Sequence, residues 1–142
     1  MKKTYSQKSS EVSREWWIID AGTLPLGKLA VVIADKLQGK SKVTYTTHID
    51  NGDYVVVINA KNIKVTGDKM NNKHYYRHSS FPGGLTDLTL AEIIEKDPTI
   101  AVIEAVKGML PKNKLQADRL ARLRVFPGAE HAHTAQTPKE IK

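Results

Sequence analysis

Two short apolar runs and an amphipathic segment between them dominate the first half of the chain. The runs cover residues 16–21 and 54–58, and each is typical of a strand buried on both faces. Between them, apolar side chains recur at helical spacing over residues 26–37, and Gly39 is placed to end that helix. A strand, a helix and a strand in this order predict two parallel strands joined by a right-handed crossover.

The middle of the chain is more polar and carries weaker signals. Residues 63–67 predict a third strand, shorter than the first two and amphipathic. Residues 73–78 predict an extended segment, and the Pro-Gly-Gly run at residues 82–84 predicts a flexible break after it.

Helical periodicity returns in the last third. It predicts a short helix over residues 89–94 with Thr89 as its N-cap, and a longer helix over residues 99–109. A third helix is predicted over about residues 114–123, and a short last strand at residues 125–126.

Polar segments without periodicity lie at both ends. The 142 residues most simply form one domain, which at that size can bury about two-thirds of its unfolded surface. We therefore expect an N-terminal arm over residues 1–14, a single α/β domain over residues 15–128 and an irregular C-terminal tail over residues 129–142. Both ends are expected to be mobile in the free protein.

Composition narrows the class of partner. The net charge is +7, which favours nucleic acid or an anionic membrane surface as the partner. The longest apolar runs are far shorter than the roughly 20 residues of a spanning helix, so a membrane is the weaker choice. Cysteine is absent, which excludes a disulfide framework and thiol catalysis and agrees with a reducing cytosol. The N-terminus has no apolar core behind its lysines, unlike a signal peptide.

The positive charge is concentrated in two segments that flank an acidic one. The acidic segment covers residues 87–104. The first basic segment, residues 61–77, contains Lys61, Lys64, Lys69, Lys73 and Arg77. The second basic segment, residues 107–124, contains Lys107, Lys112, Lys114, Arg119, Arg122 and Arg124. This clustering favours one basic face built to hold a polyanion over a uniformly charged surface.

Aromatic side chains and histidines lie among these cations. Tyr75 and Tyr76 offer ring faces on which bases could stack, although a solvated hairpin with one tyrosine packed inward is an open alternative. His74 and His78 form one pair, and a second pair stands at positions 131 and 133. Either pair could bind RNA or simply lie in solvent, and no further nearby ligand completes a metal site.

One segment imitates a phosphate-binding loop. Residues 22–28 have its glycine-to-Gly-Lys spacing and lie between a predicted strand and helix. Leu29 stands where a hydroxyl would bind magnesium, and Pro25 removes a backbone donor from the loop. We interpret the segment as a turn in which Lys28 could at most contact phosphate as a point charge.

Residues 50–53 read Asp-Asn-Gly-Asp and hold two carboxylates, but a calcium loop needs more oxygen ligands than these. Because Asn-Gly is a strong turn signal, we interpret them as a turn that leads into the strand at residue 54.

Several ordered motifs have the spacing of a known family. The most specific are residues 107–112, 124–128, 130–133 and 135–138, which read KGMLPK, RVFPG, EHAH and AQTP. Earlier matches in register are residues 17–21, 26–30, 51–55, 59–60, 65–69 and 75–78. Over residues 15–138 the chain resembles the bacterial large-subunit ribosomal protein thirteen family. It departs at Gln116, where the family often has glycine, and in its Trp16–Trp17 pair.

The resemblance implies a three-layer α/β/α fold around a four-stranded parallel sheet in a single domain. It implies a structural, non-catalytic constituent of the large ribosomal subunit in the cytoplasm, which binds large-subunit ribosomal RNA, supports early subunit assembly and contacts neighbouring ribosomal proteins. It implies no cofactor, no metal, no membrane and no obligate homo-oligomer.

The residues expected to bind RNA are the cations of both basic segments, together with Tyr75, Tyr76, His78, His131 and His133. Gly108 and Pro111 are expected to shape the turn that presents the second basic segment. Two rival functions remain open: a nucleotide-dependent phosphotransferase that uses the turn at Lys28, and a free-standing RNA or message regulator outside the ribosome.

Overall fold

The computed structural model describes residues 4–141, which fold around a four-stranded sheet and a separate two-stranded hairpin. The strands are β1 (Trp16–Asp20), β2 (Tyr54–Ile58), β3 (His74–His78), β4 (Leu85–Thr89), β5 (Leu123–Val125) and β6 (Lys139–Glu140). The helices are α1 (Leu26–Gln38), α2 (Lys69–Asn72), α3 (Leu90–Lys96), α4 (Pro98–Met109) and α5 (Gln116–Ala121). Short 3₁₀ turns cover Ser9–Glu11, Ala60–Asn62 and Thr134–Gln136.

The main sheet has the strand order β5-β2-β1-β6, and every pair in it is parallel. The unit β1-α1-β2 forms as its apolar pattern predicts, and Gly39 caps α1 in the left-handed conformation, with a φ of 72°. The α/β fold around a four-stranded parallel sheet with flanking helices is therefore confirmed.

The main core lies between one face of this sheet and the helices α1 and α4. Ile19, Val55, Val57 and Leu123 point to that face, because side chains alternate along a strand. They pack against apolar residues of α1 and α4, which also contact each other: Leu29, Ile33, Val102 and Val106. This packing fixes the position of the C-terminal end of α4 relative to the start of α1.

The hairpin and α3 enclose a smaller second core around Leu90, Ile93 and Ala101. Helix α3 begins as predicted, because Thr89 and Glu92 form a capping box. The Thr89 backbone N–H donates to the Glu92 carboxylate at 2.8 Å. Hydrogen bonds from Thr89 hold the pKa of Glu92 below its usual value.

Several elements differ from their predictions. Residues 63–67 form no strand; Lys64 makes one isolated bridge to Pro25, so the prediction of a third amphipathic strand was wrong. Strand β5 begins two residues before the predicted position, and α5 is shorter than its predicted segment. Strand β4 was missed, because its apolar residues Leu85 and Leu88 stand three positions apart and do not alternate with polar ones as strand residues do.

Both terminal segments contact the domain. Gln7 is buried, and its backbone N–H donates to Thr46 Oγ1 at 3.3 Å. In the tail, β6 pairs with β1, so the expectation of an irregular tail was wrong at Lys139–Glu140. The expected mobility of both ends stays a prediction.

Candidate nucleic-acid interface

A groove of about 800 Å³ lies where the first turn of α1, the segment 65–73 and the last turns of α4 meet. We call it the glycine groove, because its lining includes Gly27, Gly67 and Gly108 beside Lys69 and Lys73. The groove thus brings part of the first basic segment against the start of the second, although the acidic segment separates them in sequence.

A second groove, of about 900 Å³, lies between the β3–β4 hairpin and the helices α3 and α4. We call it the hairpin groove. Arg77 and His78 reach it from β3, and Lys107 reaches it from α4. Glu104 lines both grooves, so an acidic side chain also stands in the basic surface.

Two of the groove glycines, Gly27 and Gly108, belong to helices, and no steric contact within the protein requires glycine at either position. A Cβ atom added at Gly27 or at Gly108 would meet nothing within 4 Å. Glycine in the middle of a helix costs about 0.5–1 kcal/mol relative to alanine, and the cost is smaller at Gly27 and Gly108, which stand in the first turn of α1 and the last turn of α4. Because neither residue has a side chain, the backbone itself forms the wall of the glycine groove at these two positions.

Gly108 does not form the turn for which it was expected. It lies in the last turn of α4, and the chain leaves the helix at Leu110, directly before Pro111. The following loop is held by Gln116, whose side-chain amide donates to the Lys107 carbonyl at 3.0 Å and to the Leu110 carbonyl at 3.4 Å. The residue at which the chain departs from the family pattern therefore satisfies carbonyls at the end of α4.

Most predicted RNA-binding cations are exposed. Lys107 Nζ lies 3.4 Å from Glu104, but an exposed pair of this kind binds weakly and leaves the lysine available. Lys73 packs its ammonium 5.2 Å from the ring centre of Tyr75. Among the cations predicted to bind RNA, the exposed ones outside the two grooves are Lys61, Lys64, Lys112, Lys114 and Arg124.

Arg119 and Arg122 are buried instead, with 1% and 6% of their surface exposed. Arg122 donates to both carboxylate oxygens of Asp50, with Nη2 2.7 Å from Oδ1, and to the Leu37 carbonyl at 3.0 Å. Arg119 Nε lies 3.6 Å from the same carboxylate. These two guanidinium groups are held inside the domain, so the structure does not bring them to the grooves.

Asp50 is the residue that the sequence did not reveal as the partner of these arginines. Burial acts to raise its pKa, but hydrogen bonds from Arg122 and the charges of Arg122, Arg14 and Arg119 outweigh it. The pKa of Asp50 is therefore below its usual value. Asp50 stays ionised and links the loop before β2 to α5 and to the N-terminal segment.

The neighbouring turn uses its carboxylate for contacts within the fold. Asp53 accepts hydrogen bonds from the Glu15 backbone and from Trp17 Nε1, both at 3.0 Å, and pairs with Lys42. An added Cβ at Gly52 would lie 1.7 Å from the Leu37 carbonyl oxygen, so only glycine fits there. Within residues 4–141, no group of three or more acidic, histidine or cysteine side chains could hold a metal ion.

Arg124, His131 and His133 lie on the sheet face opposite α1 and α4. Arg124 follows Leu123 on β5 and so points away from the main core. The His133 ring lies 4.9 Å from Trp16 and 5.8 Å from Phe126, and its backbone N–H donates to His131 Nδ1 at 3.2 Å. The structure does not bring these three residues together with the grooves.

The two adjacent tyrosines of β3 have different environments. Tyr75 packs into the second core, and its buried hydroxyl has no hydrogen-bond partner among the described residues. Burial, followed by the nearby Glu104 charge, raises the pKa of Tyr75. Tyr76 is 67% exposed. One tyrosine is therefore structural and the other is available to a partner.

The segment that imitates a phosphate loop uses its donors internally. The Gly22 N–H donates to Asp20 Oδ1 at 2.7 Å, Thr23 N–H to the Asp20 carbonyl at 3.3 Å, and Leu26 N–H to the Lys64 carbonyl at 2.9 Å. Three backbone donors of this segment are therefore already used by acceptors within the chain. This arrangement gives no support to a phosphotransferase.

None of the helices in the described part of the chain, residues 4–141, has the length and apolar character needed to cross a membrane.

Comparison with known proteins gives consistent matches over almost the whole chain. The family model "Ribosomal protein L13" matches residues 14–132. The large ribosomal subunit protein uL13 of Maridesulfovibrio salexigens is 50% identical over 140 residues, which cover 99% of both chains. The proteins of the same name from Nitrosococcus oceani and Kocuria rhizophila are each 51% identical, over 99% and 96% of this chain and 99% and 93% of their own. The chain therefore belongs to the ribosomal protein L13 family, a family of structural, non-catalytic ribosomal proteins.

Proposed function

We propose that the glycine groove and the hairpin groove form one continuous surface that binds large-subunit ribosomal RNA. The observation that carries this proposal is the position of two consecutive residues of α4. Lys107 lines the hairpin groove and Gly108 lines the glycine groove, so the two grooves meet at the C-terminal end of that helix.

The charges at this junction favour a phosphate backbone. Lys69 and Lys73 stand on the glycine groove, and Arg77 and Lys107 on the hairpin groove, all of them exposed. Lysine and arginine that neutralise phosphates release condensed counterions, which supplies much of the free energy of RNA binding. Lys61, Lys64, Lys112 and Lys114 extend the basic surface beyond the grooves.

The buried arginines support this surface from inside. Arg119 and Arg122 hold α5 against the loop at Asp50, so they position the second basic segment and do not themselves neutralise RNA. Arg124, His131 and His133 lie on the other sheet face and are left out of the interface.

As a member of its family, the protein is a structural constituent of the large ribosomal subunit, in the cytoplasm. Its neighbours there are ribosomal RNA and other ribosomal proteins. We expect a role in early assembly of the subunit, because one RNA bound across the two grooves would contact the first and the second basic segment together. The protein is expected to act as a single copy in the particle and not as an obligate homo-oligomer.

Sedimentation of cell extract on a sucrose gradient tests the proposal against a free-standing RNA regulator. A tagged chain should co-migrate with large subunits, in a constant ratio to their RNA, and should leave them only at high salt. A chain that remains at the top of the gradient, or that binds nucleotide through Lys28, contradicts the proposal.

A further inference from the structure

The hairpin presents a row of aromatic rings on the face of β3 opposite to Tyr75. Side chains alternate along a strand, so His74, Tyr76 and His78 share one face of β3. Their cross-strand neighbours on β4 are Thr89, Asp87 and Leu85. Tyr75 and Leu88 lie on the opposite face and pack into the second core. The row is therefore fixed to a packed support.

The middle ring of this row is oriented by its neighbour. The His74 and Tyr76 rings lie 6.1 Å apart with an interplanar angle of 15°, so they are close to parallel. His74 Nδ1 lies 2.8 Å from Asp87 Oδ1, which anchors the histidine ring. Tyr76 remains 67% exposed, so most of its ring is accessible to a planar partner.

The charges around the row favour a nucleic acid over an apolar protein surface. Lys73 and Arg77 are exposed on the other face of the same hairpin, where Lys73 lines the glycine groove and Arg77 lines the hairpin groove. Asp87, the acid on this face, is already paired with His74. Polar side chains therefore lie beside the exposed side chains of Tyr76 and Leu85 on this face, which suits a partly polar base better than a wholly apolar protein surface.

We propose that Tyr76 is a stacking site for an unpaired base of RNA, with His78 beside it on the same face, while Lys73 and Arg77 hold phosphates of the same RNA in the grooves on the other face of the hairpin. This inference rests on the proposed RNA-binding function and adds the kind of RNA that the hairpin recognises. Exposed aromatic side chains among cations bind splayed or single-stranded bases, whereas a duplex keeps its bases stacked inside. Tyr75 has no part in the stacking.

The test measures binding of the full-length protein to deproteinised large-subunit ribosomal RNA and to a fully paired RNA duplex. Tyr76→Ala should weaken binding to ribosomal RNA by about tenfold or more, because one stacked base is lost. The dependence of binding on salt should stay unchanged, since no charge is removed. Tyr76→Trp should retain binding, and binding to the duplex should not change in either variant.

Tyr5→Ala is the matched control, because Tyr5 is 60% exposed but lies in the N-terminal segment. Its affinity for ribosomal RNA should equal that of the wild type. Wild-type affinity of Tyr76→Ala for ribosomal RNA would overturn the stacking site. The proposed RNA-binding function would still stand if Lys69→Gln and Lys107→Gln weaken binding. An unchanged RNA affinity with poorer incorporation into particles would assign the face to a protein neighbour instead. If Tyr76→Ala lost affinity equally for ribosomal RNA and for the duplex, the stacking site for an unpaired base would also be overturned.

Discussion

Arg122 and Asp50, 72 positions apart in sequence, form a two-pronged ion pair in which both carboxylate oxygens accept hydrogen bonds from one guanidinium group. The pair joins the end of α5 to the loop before β2. The same carboxylate lies 3.6 Å from Arg119 and 3.7 Å from Arg14. One acid therefore offsets part of the repulsion among three arginines that lie close together in the fold.

Removal of the acid should be costly, because it leaves buried guanidinium charges without a partner. Asp50→Asn is expected to lower the free energy of unfolding by about 3 kcal/mol, the order observed when one member of a buried ion pair is removed. Urea unfolding at neutral pH measures the difference. Glu95→Gln is the control, since Glu95 is an exposed acid on α3 and its loss should change stability by less than about 0.5 kcal/mol. Equal stabilities of the two variants would contradict the role assigned to Asp50.

Low pH should weaken the ion pair between Arg122 and Asp50. The folded pKa of Asp50 lies below 3.8, the value for an unperturbed aspartate, so the folded state favours the ionised carboxylate. Its contribution is full above the unfolded pKa and is lost as the pH falls through the folded pKa. Stability should therefore decrease as the pH falls below about 4. Urea unfolding as a function of pH should show a smaller decrease in Asp50→Asn than in the wild type; parallel curves would contradict the assignment.

The strands and helices with strong apolar periodicity were predictable from the sequence. Strands β1 and β2 and helix α1 appear where their patterns predicted, because burial of a long apolar face dominates local preferences. Strand β6 was not predictable, since its Lys139–Glu140 pair is polar and is held by backbone pairing to β1. A two-residue edge strand leaves no periodic signal.

The candidate site was predictable in composition but not in arrangement. Clustered cations predicted a basic face, yet Arg119 and Lys107 look alike in the sequence. The difference arises from Asp50, which reaches Arg119 only through the tertiary fold. The same limit applies to Tyr75 and Tyr76, because strand alternation shows that they face opposite ways but not which one faces the core.

The exposed lysines of the grooves should contribute additively to the salt dependence of RNA binding. Lys69→Gln and Lys107→Gln are each expected to reduce the slope of log affinity against log salt by about 0.9 for a duplex phosphate, or about 0.7 for a single-stranded one. Lys40→Gln is the matched control, because Lys40 is exposed just after the Gly39 cap of α1, whereas the first turn of that helix lines the glycine groove. Filter binding over a range of salt concentrations measures all three slopes. Unchanged slopes in the two groove variants would remove the lysines from the interface.

The substitution Gly108→Ala should change the stability of the protein and its affinity for RNA in opposite directions. Gly108→Ala is expected to raise the free energy of unfolding by about 0.5 kcal/mol, because alanine favours the helix and its Cβ meets nothing within 4 Å. The same methyl group projects from a wall of the glycine groove, so a closely approaching RNA backbone should be displaced and the affinity should fall. Urea unfolding and RNA binding of the same preparation measure the two effects.

The opposite signs make this prediction specific, since a damaged fold would lower stability and affinity together. Gly27→Ala should behave like Gly108→Ala, because Gly27 lines the same groove from a helix and also has free space around it. Gly128→Ala is the control: its added Cβ likewise meets nothing within 4 Å, but Gly128 does not line the groove. Its RNA affinity should equal that of the wild type. If Gly108→Ala is more stable and still binds RNA with wild-type affinity, the RNA does not approach the end of α4, and the glycine groove is not part of the interface.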